Sequence, residues 1–303
     1  LVSKKSLTNS RIVSKYVNKR SNMYPYSLSS LEKNLFDAIS KLEIIDCHEH
    51  LPPEEERLKL QVDVFTLFSN YTERDLKLAG MTEDQYKSLF DHNISIDIRW
   101  KTFVPYWEKI RYTSYSKAVL ITVEKFYGFS DINENTYKPI SKAIKKANKP
   151  GIYEEVLRKA CNIKTCLTQQ RGKTDLKTPL LTPVINVLFP WDYNLWKNNR
   201  PFCDKNTEIN SLQDFIDALH KYIIGVKKEG AVGLKIRSNP YKEPNFDEAN
   251  SQFEKIKSNE ELKLHFLNNP FLSYNPLRDY IVDCAIRIAE EENLVVAVHT
   301  GYW

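Results

Sequence analysis

Two kinds of apolar spacing run along this chain, one with a helical period and one made of short continuous runs. Leu31, Leu35, Ile39 and Leu42 recur near 3.6 residues and predict a helix, with Ser29 or Ser30 able to cap it. Short apolar runs predict strands over 42–47, 163–167, 180–188, 231–236 and 294–299. Between the first two runs the pattern is helical. Trp100, Phe103, Val104, Trp107 and Ile110 lie three and four apart within a helix expected over 99–112. Further helices are expected over 117–127, ending at Gly128, over 137–147, and over 152–161. Thr72 and Thr82 read as helix N-caps and Gly80 as a helix end. Phe215, Leu219, Ile223 and Val226 mark a helix over 211–228, and another is expected over 277–292. Pro240 to Pro276 is a long polar excursion with short helices.

Continuous apolar strands alternating with helices are the signature of a parallel sheet buried on both faces. The pattern therefore predicts an α/β architecture of five β/α units. A helical insertion over 52–162 interrupts it after the first strand, and a basic N-terminal arm over 1–27 precedes it, with no acid before Glu32.

Composition narrows the classes of function. Lys and Arg number 44 against 39 Asp and Glu, and the charges are interspersed. They read as a solvated surface, not as a nucleic-acid stripe. No stretch approaches the ~20 apolar residues of a membrane span. The five cysteines are scattered without a Cys-x-x-Cys pair, which argues for a reducing, cytoplasmic compartment and against a disulfide framework. The expected partner is a small-molecule substrate, with no nucleic acid and no membrane.

The first strand carries the candidate chemistry, in Ile44-Ile45-Asp46-Cys47-His48-Glu49-His50. In a regular strand His48 and His50 share a face, with Cα atoms roughly 6.6 Å apart. Two imidazoles so placed can meet on one metal at about 2.0–2.1 Å per bond. By the same parity Asp46 lies one step deeper, while Cys47 and Glu49 face away. A bare His-x-His is a common accident, but here an apolar strand leads in and Pro52-Pro53 turns the chain out. His299 follows Val295-Val296-Ala297-Val298 and so ends the fifth strand as His48 and His50 end the first. A buried apolar strand gains nothing in packing from a terminal imidazole, and in (β/α)8 barrels the C-terminal strand ends carry the site.

Asp46-Cys47-His48-Glu49-His50 and His299 together resemble the Asp-x-His-x-His and fifth-strand histidine of the amidohydrolase superfamily. Val232 to Ile236 is similar to strand four of its amidohydrolase-related branch, and the insertion, with Trp107 to Tyr115, is similar to its uronate isomerase group. The resemblance implies a TIM-type (β/α)8 barrel of which about the first five units are present. It implies a divalent metal, expected to be zinc, on His48, His50 and His299. Metal-dependent hydrolysis is the default reaction, aldose–ketose isomerisation of a uronate the alternative, and a non-catalytic relic a third reading. The family's eighth-strand aspartate has no counterpart, so the catalytic proton acceptor is unassigned. The resemblance implies an incomplete barrel with little activity and exposed strand edges that favour self-association. Arg111 and Arg237 are candidates for a substrate carboxylate, because a guanidinium matches it bidentately. Trp107 and Tyr112 are further substrate candidates near Arg111. A strand-four lysine bridges two metals in some members. Strand parity, however, would turn Lys235 outward, with Leu234 and Ile236 facing the barrel, and leave it to a salt bridge or an anionic substrate.

Overall fold

The computed structural model describes residues 28–170, 180–187, 189, 208–237, 243–259 and 275–299. The basic arm, Cys203 and His265 lie outside these residues. The chain divides into two compact units, one of residues 1–42 with 54–162 and the other of residues 43–53 with 163–303.

The first unit is helical. Helix α1 (Ser30–Ile39) opens on a reciprocal capping box in which Ser29 and Glu32 satisfy each other's backbone N–H. It is followed by α2 (Glu54–Leu58), a 3-10 turn (Val64–Phe68), α3 (Tyr71–Leu78) and α4 (Glu83–Ser88). Thr82 caps α4 as expected. Thr72 does not cap α3: the helix starts two residues earlier at Asn70, and the Thr72 hydroxyl donates back to the Ser69 carbonyl. Helix α5 (Ile96–Ile110) starts at Ser95, earlier than its apolar spacing implies, because that hydroxyl accepts the Ile98 N–H. Then come α6 (Ser114–Thr122), a π-helical segment (Val123–Tyr127) closed by left-handed Gly128 at φ 79°, α7 (Tyr137–Ala147) and a second π-helical segment (Glu154–Ala160). The core of this unit is aromatic. Phe68 and Trp107 meet edge to face at 5.3 Å between centroids, and Phe103 stacks along Trp107 at 5.9 Å.

The second unit is a five-stranded parallel sheet in the order β1 (Ile44–Glu49), β2 (Ile163–Gln170), β3 (Leu181–Asn186), β4 (Gly233–Arg237) and β5 (Val295–His299). Strand order follows chain order. Helix α8 (Leu212–Lys228) leads into β4, and α9 (Phe246–Ser258) and α10 (Pro276–Glu291) lie between β4 and β5. Helix α8 buries Leu212, Phe215, Leu219, Tyr222, Ile223 and Val226, one stripe at three- and four-residue spacing. That stripe packs on Ile185, Leu234 and Ile236 from the sheet and on Leu277, Ile281 and Ala285 of α10.

The turns into β4 and β5 share one device. Gly230 (φ 101°) and Asn293 (φ 57°) take the left-handed conformation just beyond their helices. The next residue donates back five positions, Ala231 to Val226 at 3.0 Å and Leu294 to Ala289 at 2.8 Å. This motif satisfies the last carbonyls and redirects the chain into a strand.

The sheet is strongly curled. Flat parallel strands stand about 4.8 Å apart, so β1 and β5 would be separated by roughly 19 Å. Instead the rings of His48 on β1 and His299 on β5 lie 5.7 Å apart, edge to face. The five units form part of a TIM-type barrel. On its outer strands Ile45 is 59% exposed and Val295 70%.

Candidate metal centre

The ligand strand is not regular. Asp46 pairs with Cys166 and Glu49 with Thr168, so three steps on β1 oppose two on β2. This bulge breaks the period of two. Glu49 consequently stands near enough to Asp46 for the two carboxyls to interact. Burial pushes the Glu49 carboxyl up, the backbone N–H of His50 opposes that, and Asp46 adds to it. Asp46 also accepts the His48 backbone N–H at 3.2 Å, and Glu49 accepts that of His50 at 3.2 Å. Both carboxylates thereby hold the backbone of the His-x-His stretch.

His48 and His50 converge, with their Nε2 atoms 3.3 Å apart. Two bonds of ~2.0–2.1 Å at the tetrahedral angle put their outer atoms about 3.3–3.4 Å apart. The pair therefore fits two ligands of one small divalent ion. His299 stands beside His48, but no three His, Cys, Asp or Glu side chains among the described residues are arranged as a ligand set.

Lys235 corrects the parity expectation. Leu234 and Ile236 pack into the layer of helices, which turns Lys235 to the concave face. It is 8% exposed, and its Nζ lies 3.5 Å from His48 Nδ1. In a barrel strand buried on both faces, apolar residues mark the outer face as readily as the inner one, so periodicity alone does not orient it. Burial holds the Lys235 ammonium below its ordinary pKa. Burial also lowers His48, helped by Lys235, His50 and His299 and opposed by Asp46.

Gln169 was not legible from the sequence. Its amide nitrogen lies 3.0 Å from His48 Nε2 and 3.4 Å from His50 Nε2. The available signal was positional: Thr168-Gln169-Gln170 is a polar stretch at the C-terminal end of β2, where barrel sites form.

The remaining candidates are placed as follows. Trp107 is fully buried, with its indole N–H donated to the Ile132 carbonyl at 3.0 Å. That leaves it no surface for a substrate and makes it a core residue of the helical unit. Arg111 pairs with Asp131 at 2.8 Å and with Glu108 at 3.4 Å, and Tyr112 is 90% exposed. Arg237 closes β4 opposite His299, and its side chain lies outside the described residues. No helix among the described residues is long and apolar enough to cross a membrane.

No protein-family model matches the chain, and no curated protein matches its sequence. Among solved structures it is similar to a uronate isomerase from Thermotoga maritima, with 16% sequence identity and a TM-score of 0.64. The match covers 88% of this chain and 61% of that one. At that identity the likeness establishes the fold.

Proposed function

We propose that this chain belongs to a metal-dependent barrel enzyme that isomerises a uronate between its aldose and ketose forms. The observation that carries this reading is the converging His48–His50 pair on a partial barrel like that of a uronate isomerase, with a buried cation beside the pair. His48 and His50 would hold the divalent ion, which when bound polarises a substrate oxygen. Lys235 faces the same concavity, where its ammonium opposes a substrate carboxylate. Little water surrounds it, so the attraction is stronger than at an exposed site. The reaction takes a hydrogen from C2 of the sugar and returns one to C1, with no water consumed. A hydrolase of the same fold must instead deliver water to an acyl carbon.

The test is metal-loaded protein offered a hexuronate in parallel with a panel of amides, esters and lactones. Calorimetry measures binding, and ketose formation measures turnover. The expected result is uronate binding that is lost in the corresponding aldose without a carboxylate, and weakened in Lys235→Met. Turnover of the amide, ester or lactone panel without uronate binding would replace this reading by hydrolysis.

A further inference from the structure

We propose that Gln169 is the third protein ligand of this centre, bound to the ion through its carboxamide oxygen. The inference rests on the metal reading of His48 and His50 given above. The terminal amide atom of Gln169 and the two Nε2 atoms are separated by 3.0, 3.4 and 3.3 Å. Three nearly equal edges define a triangle. An edge of about 3.3–3.4 Å is that of a tetrahedron with ~2.0–2.1 Å bonds to its centre. The three terminal atoms thus outline one face of a tetrahedral ligand shell.

The chemistry of the carboxamide suits both states. Its nitrogen carries two N–H donors and its oxygen two lone pairs, and a half-turn about the last side-chain bond exchanges them. With its N–H groups turned to the rings, the Gln169 amide stands within hydrogen-bond reach of both Nε2 atoms. With metal, the half-turn presents Oε1 to the ion at the same vertex. Strand geometry permits this because Gln169 sits on β2, hydrogen-bonded directly beside β1. A set of two imidazoles and one amide is neutral, so the ion keeps its full charge. Together with Lys235 it favours an anionic substrate.

The experiment is a Co2+ titration of the metal-free protein read by its visible d–d absorption, with Zn2+ calorimetry alongside. Gln169→Leu keeps the volume and removes the donor atom. It is expected to weaken both ions at least about tenfold, the lower end of what even an outer partner of a metal ligand contributes, and to shift the Co2+ bands. Gln169→Glu, which keeps an oxygen at the same reach, is expected to restore binding. If Gln169→Leu fails to melt cooperatively, Gln169→Asn carries the test. It keeps the amide but is one methylene shorter, and the same loss is expected. Wild-type affinity and unchanged bands in the Leu variant would overturn the proposal while leaving the histidine pair intact. Retention of metal by His48→Ala/His50→Ala would overturn the centre itself.

Discussion

Asp63→Ala tests how the helical unit is held together. Asp63 is 1% exposed and does two jobs. Its Oδ1 accepts the Phe65 N–H at 3.0 Å and caps the 3-10 turn. Its Oδ2 pairs with Arg99 Nη1 at 2.7 Å, with His92 Nδ1 at 3.7 Å. Arg99 is itself 4% exposed, lies over the Phe65 ring, and also donates to the Leu89 and Ile94 carbonyls. Alanine removes the anion and leaves a guanidinium buried without its counter-charge, which costs about 3–5 kcal/mol. Loss of the cap contributes about 1 kcal/mol of the same order and is not strictly additive. Against a typical total stability of about 5–15 kcal/mol this is a large share. With a urea dependence of about 2 kcal/mol/M, the middle of the usual range, the midpoint should fall by roughly 2–3 M. The double variant Asp63→Ala/Arg99→Met removes the stranded charge and should recover part of the loss. About 1–3 kcal/mol should remain, because the Leu89 and Ile94 carbonyls lose their donor. The assay is urea unfolding at two salt concentrations, and the effect should be nearly independent of salt because the pair is buried. A cost below about 1 kcal/mol, the range of an exposed ion pair, would refute the reasoning.

Gly233→Ala should destabilise the β4–β5 pairing by about 1–3 kcal/mol or more, since a Cβ there would stand 2.4 Å from the Val295 carbonyl oxygen, which is backbone and cannot rotate away; unchanged urea unfolding would contradict this. Trp107→Ala should cost about 3–5 kcal/mol, as for an aromatic removed from a packed core, whereas Trp107→Phe should cost only the hydrogen bond to Ile132, about 1 kcal/mol. His48 should titrate below its ordinary value by NMR in the metal-free protein. Between that lowered value and the unfolded value of about 6.5, the unfolded chain binds more protons, so stability should fall as pH drops through this window, and by less in His48→Gln.

Several features were legible because they are local. The capping box of Ser29 and Glu32 and the cap at Thr82 follow from residue types a few positions apart. The five strands and their parallel order follow from short apolar runs separated by amphipathic helices. His48 and His50 converge as their two-residue spacing suggested, although a bulge interrupts β1 between Asp46 and Glu49 and His50 lies just past its end.

The rest required the third dimension. No local rule places Lys235 beside His48, because a strand covered on both faces carries no polar alternation to orient it, and its direction is set by which face the α8 and α10 layer covers. No spacing links Gln169 to two histidines more than a hundred residues earlier; the β1–β2 register does. Glu49 interacts with Asp46 across a stretch where three steps of β1 oppose two of β2, a mismatch that exists only once the strands pair. Which residues can be helix, strand or ligand is written in each residue and its near neighbours. Which of them face one another depends on sheet curl and register, which are properties of many strands packed together and are encoded in no single one.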